Sequence, residues 1–382
     1  MNTKPYDFII AGGGAAGLSL ACHLIHSPLR DRSILIVDKD AKDRNDRTWC
    51  FWTDQPSLFD DIVHRTWNQL QIVGESFEET VDLHSYRYKM IRGIDFYRFA
   101  RDELSARANV DFLQGTVDRI DDGDDRAGVA VNGQTYTGRW AFDSRFRLSQ
   151  IKPDPVRYHY LQQHFKGWEI ETPAPVFSPR AATFMDFRTP QKGEMRFFYV
   201  LPFSERHALV EYVLLSQDEH DQALKDYLEG ALGIKDYRIL AVEGGVNPMT
   251  DQPFPRRVGR RIMTIGALGG RVKPTTGYAF WRIQQDSAAI VRSLLRAGHP
   301  FNVTPDSGYY RLCDSLMLQI MYRQGEQIKP IFTALFKHNP IGRVFHFLDE
   351  TASPWENLSL IATLPPPLFL QALFRLKVLR RV

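Results

Sequence analysis

Cysteine is scarce in this chain: Cys22, Cys50 and Cys313 are the only three in 382 residues. An odd number excludes a fully paired disulfide framework. The spacing suits neither a metal site nor a redox pair, so a reducing compartment is expected. Charge of one sign is not in excess either. Lys and Arg total 48 against 45 Asp and Glu, a net charge of +3, which gives nucleic-acid binding no support. No uninterrupted apolar run reaches the roughly 18 residues that a membrane-spanning helix needs. The run "FIIAGGGAAGLSLACHLI" at the N-terminus follows an acidic Asp7 and carries four glycines, so it reads as a nucleotide-binding turn and not as a signal peptide. Repeats and low-complexity tracts are missing, and the histidines show no metal-ligand pattern. Aromatic residues are plentiful at 12%, which suits a ring-lined apolar cavity or, equally, a filled core.

Residues 6–11 read as a buried strand, 15–26 as a helix and 33–38 ("SILIVD") as a second buried strand. This order opens a parallel, doubly wound sheet. Residues 46–92 show no clean period, and a helix is expected over 95–108. Short strands follow in "VDFLQGTVDRI", "AGVAVN" and "GRWAFDSR". Over 162–216 strand-like segments dominate, with a helix near 218–232. The chain then reads as a turn through "EGGVNPMTDQPFPRR", a buried strand "RIMTIGALG", and a helix over 279–295. The fold class expected is α/β: a Rossmann-like, doubly wound domain (1–150 and 245–300) whose glycine segments point to FAD as its ligand, an inserted antiparallel-sheet domain for substrate (151–244) and a helical C-terminal region (301–382) whose composition suits a membrane surface.

Gly12, Gly14 and Gly17 fit G-x-G-x-x-G between a strand and a helix that starts at Ala15 and Ala16. The first glycine permits the tight turn, the second lets the backbone approach a pyrophosphate, and the third allows close helix–strand contact. The helix N-terminus offers free N–H groups to the anion. Asp38 ends the second strand, where a carboxylate accepts bonds from ribose hydroxyls. A late strand-glycine-helix segment, "TIGALGGRVKPTTGYAF", favours FAD over NAD. It supplies Gly266 and then Thr275, Thr276, Gly277 and Tyr278 at a helix start, which can lie against the flavin and stabilise negative charge there.

Five stretches, in order and spacing, resemble the lycopene cyclases, most of all the bacterial β-cyclases. They are "DRTWCFW" (46–52), "MIRGIDFYRF" (90–99), "MDFR" (185–188), "FYVLPFSERHALVEY" (198–212) and "KPTTGYAF" (273–280). The resemblance implies a non-redox reaction. The ψ end of lycopene is protonated, the neighbouring alkene attacks the tertiary cation, and proton loss leaves a β ring. It also implies reduced FAD, with NAD(P)H serving only to keep it reduced. Arg47 and Arg92 fall where the family approaches the FAD phosphates, or are surface ion pairs. Val117 falls where related flavoproteins lay backbone against the adenine. Asp186 matches a position near the substrate tunnel or stabilises a turn. Trp49, Phe51 and Trp52 line the polyene channel or pack the core. The chain departs from several cyclases where Tyr212 takes the place of a second acid; Gly266-Ala267-Leu268, in place of the Gly-Asp-Ala of many flavoproteins, fits the cyclases.

Within "FFYVLPFSERHALVEYVLLS" (197–216), Glu211 shares a strand face with Leu209, Val213 and Leu215. The resemblance places it at the family's essential carboxylate. Apolar surroundings raise a carboxyl's pKa, making it an acid at neutral pH and, once ionised, a stabiliser of a tertiary cation. The proton donor is then Glu211 or a flavin N–H. A structural alternative pairs Glu211 with Arg206 or Arg196. Tyr212 points to the opposite face, towards substrate or plain packing.

Lycopene is wholly apolar, so the expected partners are acyclic carotenoids and a membrane lipid surface, with the protein cytoplasmic and peripherally attached. "PPPLFLQALFRLKVLRRV" (365–382) carries Arg375, Lys377, Arg380 and Arg381 and no acid, the composition of a segment at an anionic lipid surface. In "PIFTALFKHNPIGRVFHFL", Phe332, Leu335 and Phe336 form one stripe, facing lipid or the protein's own core. The rival functions are a flavin-dependent monooxygenase or prenyl reductase, and a non-catalytic flavin- or carotenoid-binding protein.

Overall fold

The computed structural model describes residues 4–74, 77–218 and 220–379, the last three as backbone only. Two central strands open it, β1 (Tyr6–Ala11) and β2 (Ile34–Asp38), with α1 (Ala15–Ile25) between them. Both strands are near-continuous aliphatic runs, as parallel strands covered on both faces must be. There follow β3 (Thr48–Thr53), β4 (Arg65–Trp67), β5 (Gln69–Gly74), β6 (Phe77–Asp82), β7 (Arg87–Arg92) and α2 (Gly93–Ser105). Next are β8 (Val110–Gln114), β9 (Val117–Asp121), β10 (Ala127–Val131) and β11 (Gln134–Asp143). The middle of the chain forms β12 (Tyr160–Glu171), β13 (Ala181–Asp186), β14 (Arg196–Pro202), β15 (His207–Leu214), α3 (His220–Asp226) and β16 (Arg238–Thr250). A last strand, β17 (Ile262–Thr264), leads into α4 (Phe280–Ala297) and the helices α5 (Gly308–Arg323), α6 (Ile328–His338), α7 (Ile341–Leu348), α8 (Pro354–Ile361) and α9 (Pro366–Leu379).

Among the described residues the first sheet runs β8-β2-β1-β11-β10-β9, with β17 also on β11. Its pairings through β8, β2, β1, β11 and β17 are parallel. Helices α1 and α4 cover one face, joined by a bond from Gln284 Nε2 to Ser19 Oγ of 2.8 Å. The second sheet runs β16-β12-β15-β14-β13-β5-β6 and is antiparallel except where β13 meets β5. A small third sheet, β3-β7-β4, joins them.

Two features differ from the sequence reading. The stretch taken as a turn after residue 242 continues β16 to Thr250, pairing along the whole of β12. The expected domain boundary at 244 therefore falls inside a strand. The ladder on β12 satisfies the backbone whatever the local propensity of Gly244, Gly245 and Pro248. Secondly, β5 and β6, from the stretch without a clean period, extend the second sheet. Alternation in β15 sorts Leu209 and Val213 to one core and Val210, Tyr212 and Leu214 to another. The first of these cores also takes Phe332, Leu335 and Phe336 of α6, each at most 4% exposed. That stripe serves the core, not lipid.

Candidate active site

The turn from β1 to α1 is a cradle closed by glycines. Gly12 has φ +107°, and a Cβ there would collide with Ser144 Oγ. A Cβ on Gly17 would run into the carbonyl oxygen of Gly12, so the third glycine sets how closely helix and strand approach. Gly14 faces open space and caps α1 without a side-chain bond, and the first turn of α1 holds no acid. These free N–H groups and the positive end of the helix dipole suit an anion. Asp38 closes the cradle, accepting from the backbone N–H of Gly13 at 2.5 Å and of Asp40 at 2.8 Å.

From the cradle a cavity of about 740 Å³ runs into the second sheet. Gly12, Gly14, Ala15, Ala16, Asp38, Arg47, Trp49, Val117, Thr276, Gly277, Tyr278 and Glu211 all line it. One chamber thus joins the dinucleotide cradle to the carboxyl on β15, and its size and donors fit an elongated, pyrophosphate-bearing cofactor. At the far end Leu201, Leu209, Val213 and Phe165 form apolar walls around Glu211. Glu211 is half-buried and lines the cavity. Burial, then the nearby Glu243 carboxyl, raises its pKa well above the usual carboxylate range. Three tyrosines complete this end. Tyr278 OH lies 2.8 Å from Tyr88 OH and 3.3 Å from Tyr199 OH, and Tyr199 stands opposite Glu211 in the β14–β15 ladder.

A family model described as lycopene cyclase protein matches residues 7–374. The chain belongs to the lycopene cyclase family. Curated relatives are the chloroplastic neoxanthin synthases of Solanum tuberosum, 24% identical over 341 residues, and of Solanum lycopersicum, 25% identical over 306. The alignments take in 81% and 72% of this chain and 65% and 58% of those relatives, so less than two thirds of their length is spanned. Among solved structures, a flavin-dependent brominase Bmp2 triple mutant superposes with a TM-score of 0.67 at 14% identity, covering 94% of this chain and 98% of that one. The geranylgeranyl bacteriochlorophyll reductase-like protein of Thermoplasma acidophilum gives 0.57 at 12% identity, over 97% and 96%. PqsL, a probable FAD-dependent monooxygenase of Pseudomonas aeruginosa, gives 0.59 at 15%, over 91% and 100%. The fold expected from the sequence, Rossmann-like with a second sheet and a helical C-terminal region, is the fold these neighbours share.

Within this cyclase-family frame several expected site residues lie apart from the cavity. Arg92 is held by Asp95 through bonds of 2.6 and 3.1 Å, outside the lining. Asp186 is fully buried and receives Arg188 Nη2 at 2.6 Å and Tyr227 OH at 2.7 Å, so its carboxylate is satisfied away from any tunnel. Tyr212 stacks on Phe198 at 4.5 Å, on the sheet face opposite Glu211. Trp52 lines a small neighbouring pocket, donates to Asp349 Oδ2 at 2.9 Å and stacks on Phe345. Thr275 donates to the buried Asp314 at 3.0 Å, and Gly266 packs against Ala16 behind the cradle. Of the two expected alternative partners of Glu211, Arg196 is occupied elsewhere, by Glu194 and Asp218, and Arg206 stands exposed in the turn before β15.

Sequence reasoning missed Glu243, Arg145, Tyr88 and Tyr199, and of the three tyrosines it found only Tyr278. Arg145 lines the cavity, held by Asp143 through two bonds of 2.9 Å and by the Val117 carbonyl at 2.8 Å. Tyr199 was readable: with the hairpin turn at 203–207, counting back from Glu211 pairs it with Tyr199. Glu243 gave no such signal, because the strand carrying it was read as a turn.

Proposed function

We propose that this chain is a lycopene β-cyclase that closes ψ ends into β rings by proton transfer alone. The observation that carries the reading is the single cavity joining the glycine cradle to Glu211, a carboxyl kept protonated by burial among aliphatic walls. Relatives named neoxanthin synthase support a carotenoid substrate.

FAD fits the cradle. The α1 N-terminus and Gly14 would receive its pyrophosphate, Asp38 its ribose, and Thr276, Gly277 and Tyr278 its flavin end. In its reduced form, maintained by NAD(P)H, it would supply negative charge that favours a developing cation without net electron transfer. The protein's own part is to hold an acid next to a hydrocarbon. Glu211 donates its proton to the terminal alkene; its carboxylate then balances the tertiary cation until ring closure and proton loss. Leu201, Leu209 and Val213 keep water from capturing that cation.

An apolar substrate implies contact with a bilayer, and we assign it to α8 and α9, with the protein otherwise in the cytoplasm. Among the described residues no single helix is long and apolar enough to cross a membrane. The side chain of Lys377, and Arg380 and Arg381, lie outside the described residues.

The test is expression in bacteria that accumulate lycopene. A shift from red to orange-yellow, with β- or γ-carotene by chromatography, is expected. Unchanged lycopene from a flavin-loaded protein would leave a binding role, and NAD(P)H consumed in proportion to product would indicate a monooxygenase or reductase.

A further inference from the structure

Glu211 has a partner. Central strand β12 lies between β15 and β16, and its Gly167 is paired with Glu211 on one side and Glu243 on the other. A Cβ at Gly167 would stand 3.4 Å from Glu211 Cβ, 3.3 Å from Glu243 Cγ and 2.9 Å from Leu209 Cδ1. With hydrogen there, the two side chains approach each other across the strand, and both line the cavity. Two carboxyls brought this close in a buried cavity do not both ionise, so the pair holds one proton between them. Thr48 of β3 donates its hydroxyl to Glu243 Oε2 at 2.6 Å. The Thr48 bond favours the ionised form of Glu243, which leaves the proton on Glu211.

The surroundings preserve this state. Facing the pair are Cys50 of β3, Tyr88 of β7, Tyr199 of β14 and Tyr278, all kept neutral by burial. Glu169 of β12 adds negative charge near Glu243 and is itself held by His207 at 2.7 Å.

Resting on the cyclase reading, we infer that Glu243 is a positioning residue for the reacting acid: it shares one proton with Glu211, holding it there for delivery and helping to recapture it. In delivery the Glu211 O–H bond breaks as a C–H bond forms at the terminal alkene. The doubly ionised pair then faces the cation while the ring C–C bond forms. Loss of a ring proton breaks a C–H bond, forms the ring alkene and restores O–H on the pair. No electrons are transferred and no proton is consumed.

The experiment follows the infrared band of the protonated carboxyl in the FAD-loaded protein against pH, beside pH–rate profiles with lycopene in lipid vesicles. The band is expected to persist above neutral pH and to vanish in Glu211→Gln. In Glu243→Gln the anionic neighbour is lost. Both the band's titration and the alkaline limb of the rate are expected to move about one pH unit to acid, a tenfold fall in proton affinity. Thr48→Val, which leaves both acids in place, removes the bond that keeps Glu243 ionised and is expected to move the uptake of a second proton to higher pH. Profiles of a folded Glu243→Gln and of Thr48→Val that superimpose on the parent overturn the inference. Should the parent leave lycopene unchanged while the band still shifts in Glu243→Gln, the shared proton stands and the cyclase reading falls.

Discussion

Glu211→Gln keeps the shape of the β15 side chain while removing its exchangeable acid. General acid–base groups contribute about 10² to 10⁴ in rate, so pigment conversion in lycopene-producing cells is expected to fall at least to the low end of that range. The FAD content of the purified protein is expected to stay at the parent value; normal conversion would make Glu211 structural. Gly17→Ala tests the opposite end of the cavity. Its methyl group points into the Gly12 carbonyl oxygen and reaches Ile10 Cγ2 at 2.9 Å, both in a tightly packed strand–helix contact. Overpacking of this kind costs about 1–3 kcal/mol. The expected result is a lower thermal midpoint together with loss of the yellow cofactor, and a variant that binds FAD as the parent does would contradict the cradle geometry. At this scale the sequence was informative where chemistry is local. The glycines and Asp38 sit in a short motif, and Glu211 is visible as a carboxylate on an aliphatic strand face. The contacts that take Arg92 and Asp186 away from the cavity were also readable, since their partners Asp95 and Arg188 are three and two residues away.

The segment "KPTTGYAF" shows how elements are fixed to one another. Lys273, 4% exposed, donates to Asp314 Oδ2 of α5 at 3.0 Å and to Glu350 Oε1 at 2.9 Å, and Arg282 of α4 reaches the same Glu350 oxygen at 3.0 Å. This network ties the turn that presents Thr276 and Gly277 to the C-terminal helices. Lys273→Met preserves bulk but strands buried carboxylates, which costs about 3–5 kcal/mol; a denaturant midpoint unchanged from the parent would show the network to be dispensable. Although burial alone would raise its pKa, Lys273 and Arg282 hold the Glu350 carboxyl below its usual value. Its contribution is therefore complete above the unfolded carboxyl pKa and is lost as pH falls through the lower folded one. Acid unfolding monitored by circular dichroism is expected to begin at higher pH in Lys273→Met. Such long-range ties were invisible in the sequence, as was the recruitment of β5, β6 and β16 to one sheet. Periodicity reports which face of a strand is apolar, whereas pairing partners are selected by the assembled fold. Strand β16 was hardest, because Gly244, Gly245 and Pro248 signal a turn and only the ladder on β12 overrides them.

For the whole molecule the distribution of apolar surface decides where a bilayer would meet it. Trp355 and Leu358 of α8 are 74% and 60% exposed, and Leu370 and Phe374 of α9 are 65% and 70% exposed. On α9 the opposite face, Ala372 and Leu376, is buried against the helical core. Each helix therefore presents one stripe inward and one outward, and two consecutive helices with outward apolar stripes exceed the scattered exposure normal for a soluble surface. Truncation after Pro367 would remove the inward stripe too and expose the core, so it tests folding together with attachment. Replacing Trp355, Leu358, Leu370 and Phe374 by serine leaves the inward stripe intact. Each large side chain moved from water into an apolar phase is worth about 1.5–3 kcal/mol, and partial insertion of four supports a loss of about a hundredfold or more in partitioning to vesicles. Thermal unfolding and FAD content are expected to match the parent, while turnover of lycopene presented in vesicles falls with partitioning. If the four-serine protein sediments with vesicles as the parent does, attachment is made elsewhere on the molecule and α8 and α9 lose the role assigned to them.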